Sequence, residues 1–143
     1  MRPPRMGKQM GFDHMSALLS RLNIAGRSGK ATIKIPRSLE IQQTINVLLK
    51  EGFIRGVTPF GNGMYDHHYY KVHLKFDDKG LPVVKTARRI SKPGRSIEVE
   101  IKYLPPCMNG LGIFLLKTRK YGVLSDKDAR RLQADGELLG LVF

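Results

Sequence analysis

Residues 31–54, ATIKIPRSLEIQQTINVLLKEGFI, decide the fold. A short strand over 31–35 stops at Pro36, whose ring nitrogen has no hydrogen to give a sheet ladder. Ser38 then stands where a helix N-cap is needed, and Leu39, Ile41, Ile45, Leu48 and Leu49 supply one apolar face at helical spacing. Gly52 is placed to end that helix, and a second strand follows over 53–58. Upstream, Asp13 is a suitable N-cap, and Met15, Leu18, Leu19 and Leu22 recur at three- and four-residue spacing until Gly26 and Gly29 interrupt the pattern. Downstream, a loop over 59–63 and an aromatic and histidine stretch lead to a strand at 69–76, which completes an α-β-α-β-β unit.

After the polar turn at 77–80 the sequence changes character. Strands are expected at 83–90, 96–101 and 111–117, a helix capped by Ser125 over 126–133, and a closing strand over 137–143. The whole is an α+β fold of two small subdomains: residues 13–78 are α/β, and residues 79–143 are mostly β with one short helix. Residues 1–12 carry Arg2, Arg5 and Lys8 with no acid and read as a basic extension, either a targeting sequence or an arm for phosphates.

The chain has 143 residues, enough for one domain or two very small ones sharing an interface. It carries 25 Lys and Arg against 12 Asp and Glu, a net charge of +13, while 41% of its residues are apolar, so it folds around a core and is strongly cationic. Its longest apolar runs, 113–116 and 138–141, fall far short of the roughly 20 residues of a membrane-spanning helix. Cys107 is the sole cysteine, which excludes an internal disulfide and points to a reducing compartment or an organelle interior.

The cations are clustered. Arg21, Arg27, Lys30, Lys34 and Arg37 lie in an acid-free segment around the first helix and strand. Lys85, Arg88, Arg89, Lys92 and Arg95 form a second acid-free group, and Lys117, Arg119 and Lys120 a third. Such a surface suits counterion release from a polyanion, and it favours nucleic acid over a membrane because neither helix sets cations opposite bulky apolar residues. Tyr65, Tyr69, Tyr70 and Tyr103 suit base stacking as well as core packing.

Catalysis is not expected. His67, His68 and His73 with Asp66 lack a cysteine or a compact carboxylate set to complete a metal site. Cys107 reads as a buried small hydrophobe. Asn109-Gly110-Leu111-Gly112 is half of a dinucleotide fingerprint, yet a strand follows where a helix would be required.

Several phrases in a fixed order carry a resemblance. They are DHMSALLSRL at 13–22, LLKEGFI at 48–54, RISKPG at 89–94, Leu104-Pro105, GLGI at 110–113, Lys117-Thr118 through GVLSD at 122–126 with Ala129-Arg130, and GELL at 136–139. Together they resemble the universal small-subunit ribosomal protein family numbered eight, in its bacterial type, over residues 13–143.

The resemblance implies a structural protein rather than an enzyme, with no cofactor, metal, membrane or small-molecule substrate. Its partners would be the small-subunit rRNA, at a helical junction of the central domain, and neighbouring small-subunit proteins. The family's Ser-Thr-Ser loop, which enters an RNA minor groove, corresponds to Lys117-Thr118-Arg119, where only the threonine matches and where Tyr121 looks inserted. The RNA-binding set expected here is therefore Lys117, Thr118, Arg119 and Lys120; Arg88, Arg89, Ser91, Lys92, Pro93, Gly94 and Arg95; Gly136 and Glu137; and Arg21, Arg27, Lys30 and Lys34 on the N-terminal unit. The extension, the segment around 60–70 and the altered loop are what an organellar ribosome would carry, so the expected location is the mitochondrial matrix, with a plastid or a bacterial cytoplasm as alternatives. A competing reading is a free DNA- or mRNA-binding regulator, in which the second helix, with Gln42, Gln43, Thr44, Asn46 and Lys50, would be the recognition element.

Overall fold

A computed structural model describes residues 13–61 and 68–143. The basic extension over 1–12, Tyr65, Asp66 and His67 lie outside the described residues. Helix α1, His14–Ser28, starts where Asp13 accepts from the Met15 amide and ends at Gly29, and it buries Met15, Leu18, Leu19, Leu22 and Ala25. It runs through Gly26 instead of breaking there. A Cβ at that position would lie 3.2 Å from Pro82, so the glycine lets the helix and the later chain approach closely.

Strand β1, Thr32–Pro36, leads to helix α2, Leu39–Lys50, whose cap Ser38 accepts from the Ile41 amide at 3.2 Å. The buried face of α2 is Ile41, Thr44, Ile45, Val47 and Leu48. Leu39, expected on that face, is 69% exposed because it lies two residues before Ile41, about 200° round the helix from it, and Thr44 takes a core position by donating its hydroxyl to the Glu40 carbonyl at 2.8 Å. Strands β2, Ile54–Phe60, and β3, Tyr69–Leu74, complete an antiparallel sheet in the order β1-β3-β2, with Ile35 opposite Tyr70 and Val57 opposite Val72 on its inner face.

The second sheet is built around the last strand. Strands β4 (Ala87–Arg89), β5 (Glu98–Val99), β6 (Ile113–Thr118), β7 (Gly122–Ser125) and β8 (Gly136–Val142) give the order β4-β8-β6-β7, with β5 also paired to β8. Helix α3, Asp126–Leu132, is capped by Ser125 and lies between β7 and β8. The strand expected over 83–90 is paired only at Ala87–Arg89, because the preceding residues cross between the sheets: the Val83 amide donates to the Lys75 carbonyl, and those of Lys85 and Thr86 to the Phe143 carbonyl. The strand expected at 96–101 shrinks to Glu98–Val99 because a 3-10 turn, Ile101–Tyr103, follows, its first amide held by Asp135 at 2.8 Å.

The five-stranded sheet is covered on both faces. Leu115, Leu139 and Val142 join the main core with Leu18, Leu19 and Leu22 of α1 and Ile45 and Leu48 of α2. Neighbouring positions Leu116 and Leu138 point the other way, against Ala129 of α3 and Ile101. Burial on two faces explains why β6 and β8 read as continuous apolar runs rather than alternating ones. Polar ties join the two sheets: Asn23 of α1 takes both backbone groups of Ala87, its Oδ1 accepting from the amide at 2.8 Å and its Nδ2 donating to the carbonyl at 2.5 Å. Lys50–Asp128 at 2.7 Å and Glu51–Lys127 at 3.8 Å link the end of α2 to α3.

Candidate nucleic-acid interface

The β6–β7 hairpin carries the third cationic cluster, and its shape depends on one hydroxyl. Thr118 is buried; its Oγ1 donates to the Gly122 carbonyl at 2.8 Å and accepts from the Tyr121 amide at 3.0 Å. The chain turns at Gly122 with φ 73°, a left-handed conformation that favours glycine, and a Cβ there would come within 2.6 Å of the Gln43 amide. Gln43 in turn accepts from the Val123 amide at 3.2 Å, and Lys117 Nζ is 3.0 Å from Glu40 Oε1. Helix α2 thus holds the base of the hairpin, while Arg119, Lys120 and Tyr121 project into solvent. Lys120 Nζ lies 5.5 Å from the Tyr121 ring centroid.

Beside the hairpin is an open groove of about 780 Å³, bounded by residues 117–121, by residues 132–137 between α3 and β8, and by Glu98. Gly136 makes it possible: a Cβ at this position would sit 2.4 Å from the Lys117 carbonyl, so only glycine lets β8 start so close to β6. Glu137 stands opposite both Lys117 and Glu98 in the sheet registers. The groove therefore has cations on one rim and the carboxylates of Glu98, Asp135 and Glu137 along its other walls. Cations reach phosphates, and carboxylates accept from ribose hydroxyls and base amino groups.

The Ser91-to-Arg95 turn borders the same end of β8. Ser91 is fully buried, donating to the Leu138 carbonyl at 2.6 Å and accepting from the Ile97 amide at 2.9 Å, while Lys92, Pro93, Gly94 and Arg95 are exposed. Arg88 is exposed on β4, but Arg89 folds inward beside Asp13, with Nε 3.2 Å from its carboxylate and only 12% of the side chain exposed. Ser91, Thr118, Gly136 and Arg89, named from the sequence as contact residues, are thus turned into the protein, where they shape the surface that their neighbours present.

The N-terminal cations meet elsewhere. Arg21, Lys30 and Lys34 line a hollow of about 340 Å³ between α1 and β1 together with Ile24, and Arg21 Nη1 donates to the Lys34 carbonyl. Arg27 is exposed in the last turn of α1. Lys34 also sits 5.0 Å from the Phe60 ring centroid and 5.3 Å from that of Tyr69. Sequence reading did not single out Phe60 or Lys71; alternation along β3 could have placed Lys71, whereas Phe60 follows Pro59 in a strand with a bulge and is placed only by its pairing with Tyr69.

Other groups are structural. Burial, reinforced by the Asp126 charge, pushes the Cys107 thiol up and keeps it protonated. Among the described residues no group of three or more His, Cys, Asp or Glu is placed to hold a metal, and no helix is long and apolar enough to cross a membrane. Part of the polar side of α2 is used within the molecule, through Glu40, Gln43 and Lys50, and Thr44 is buried, while Gln42 and Asn46 are exposed.

A profile of the family described as Ribosomal protein S8 matches residues 13–143. The chain belongs to the ribosomal protein S8 family. Among its relatives is the small ribosomal subunit protein uS8 of Beijerinckia indica subsp. indica, 37% identical over 133 residues, which cover 92% of this chain and 97% of the relative. The uS8 proteins of Methylocella silvestris and Brucella melitensis biotype 1 are each 38% identical over the same shares. Membership of the S8 family makes the chain a structural ribosomal protein of bacterial type and not an enzyme.

Proposed function

We propose that this chain is a constituent of the small ribosomal subunit that binds rRNA directly and braces a helical junction in its central domain, alongside neighbouring small-subunit proteins. The observation that carries the reading is the groove beside the β6–β7 hairpin: Arg119 and Lys120 exposed on one rim, acceptor groups along the other walls, and Gly136 close against the Lys117 carbonyl. The minor groove of A-form RNA is wide and shallow and displays 2′-hydroxyls between its phosphates, so a mixed cationic and acceptor surface fits it without a base code. Lys92 and Arg95 extend the phosphate contacts past the groove, and Arg21, Arg27, Lys30 and Lys34 engage a second RNA segment. Thr118, Ser91, Gly136 and Arg89 position these groups. The altered Lys117-Thr118-Arg119 loop, the segment over 60–70 and the basic extension support a mitochondrial ribosome, while bacterial relatives fit a bacterial cytoplasm equally well. A fluorescent fusion of the full chain, imaged against a mitochondrial marker, separates the two. Site-specific binding is tested by salt titration of the purified chain on the central-domain junction of its own small-subunit rRNA with an unrelated duplex as competitor. Equal affinity for both RNAs would contradict the reading.

A further inference from the structure

The outer face of the three-stranded sheet is not accounted for by either cationic groove. Strand alternation places Thr32 and Lys34 of β1, Tyr69, Lys71 and His73 of β3, and Thr58 and Phe60 of β2 on this face, while Ile33, Ile35, Tyr70 and Val72 point into the core. Lys34 and Lys71 are directly opposite each other, as are Phe60 and Tyr69. Both rings are large and stand in solvent, Phe60 37% and Tyr69 39% exposed. Lys34 Nζ lies 5.0 Å from the Phe60 centroid and Lys71 Nζ 5.6 Å from it. Among the described residues of this face there is no carboxylate.

Like-charged lysines held as a cross-strand pair repel, and nothing among the described residues of the face neutralises them. An anionic partner would. The lysines alone would suit any anion, but an acidic peptide gives the two exposed rings nothing flat to meet. Bases in a duplex are covered by their neighbours and cannot reach a ring standing on a sheet. Unpaired nucleotides offer both parts at once, a π-face for the ring and a phosphate for the ammonium beside it. The face is also continuous with the hollow between α1 and β1, because Lys34 belongs to both.

We propose that this face binds unpaired nucleotides of RNA, with Phe60 and Tyr69 as stacking platforms and Lys34 and Lys71 as their phosphate partners. The proposal rests on the rRNA-binding reading and adds a single-stranded site to it. The test uses the full chain and three probes in fluorescence anisotropy: a single-stranded oligoadenylate, a blunt RNA duplex and an oligoglutamate peptide. Replacing Phe60 and Tyr69 together by leucine is expected to weaken oligoadenylate binding about tenfold and duplex binding hardly at all. Tyr69→Phe, which keeps a ring, should retain the wild-type affinity. Lys34→Gln with Lys71→Gln should lower the salt slope for oligoadenylate by about one unit. Oligoadenylate affinity unchanged in the leucine pair, or an equal loss on both RNAs, would overturn the proposal, as would oligoglutamate binding that the leucine pair abolishes. Arg119→Ala with Lys120→Ala separates the two readings. If that variant leaves duplex binding intact while the leucine pair still loses oligoadenylate, the hairpin reading falls and the sheet-face site stands.

Discussion

Thr118 shows how a buried hydroxyl can shape a surface that its neighbours present. Its hydroxyl closes the hairpin by joining the Gly122 carbonyl and the Tyr121 amide, and its burial leaves it little to offer outside. Thr118→Val leaves both partners unsatisfied, at a cost of roughly 1–3 kcal/mol, so thermal stability and rRNA affinity should fall together while Thr118→Ser preserves both. A loss of affinity at unchanged stability would instead make the hydroxyl a direct contact. Asp128 is a second residue whose role is decided by its neighbours. The hydrogen bond from Lys50 holds its carboxyl below the usual aspartate range, against an opposing desolvation effect and with help from Arg131. Because the folded form has the lower pKa, this stabilisation is present above the unfolded aspartate pKa and vanishes as pH falls through the folded one. With Lys50 largely in solvent, Asp128→Asn should cost no more than about 1 kcal/mol at neutral pH in urea melts, with the two proteins converging in strong acid. The cationic residues were legible in the sequence because charge can be counted there. The inward direction of Ser91, Thr118 and Arg89 was not, since a hydroxyl or a guanidinium reads the same whether it meets protein or RNA.

At the level of elements, caps and periodicity carried most of the reading. Asp13, Ser38 and Ser125 cap the three helices as their chemistry requires, and α1-β1-α2-β2-β3 follows from apolar spacing. Strand β7 was missed because its four residues run from a turn straight into the helix cap Ser125 and show no alternation of residue type, and its pairing with β6 is a tertiary fact. Residues 83–86 read as a strand because Val83, Val84 and Thr86 are β-branched, yet the Val83 amide bonds to Lys75, just past β3, and the Lys85 and Thr86 amides to Phe143, just past β8. The paired apolar positions of β6, Leu115 toward α1 and α2 and Leu116 toward α3, put this strand in both hydrophobic clusters. Leu115→Ala removes a fully buried side chain from the centre of the main core and should cost about 2–5 kcal/mol in denaturant unfolding.

The whole molecule joins its two sheets through one hydrophobic core and through side chains that cross between them. Met15, Leu48 and Val72 from one half share that core with Leu115, Leu139 and Val142 from the other, and Asn23 and Gln43 tie α1 and α2 to Ala87 and Val123. We therefore propose that residues 13–78 and 79–143 are structural subdomains that unfold as a unit, expected as a single transition seen alike by circular dichroism and tyrosine fluorescence; two separated transitions would contradict this. On the proposed function, two surfaces carried by one cooperative unit would hold two RNA strands in a set geometry. The most direct test of that account is the salt dependence of rRNA binding by Arg119→Ala/Lys120→Ala. If these side chains reach phosphates, the log–log slope falls by about one to two units and affinity for the junction drops, while an unchanged slope would place the β6–β7 hairpin away from the RNA.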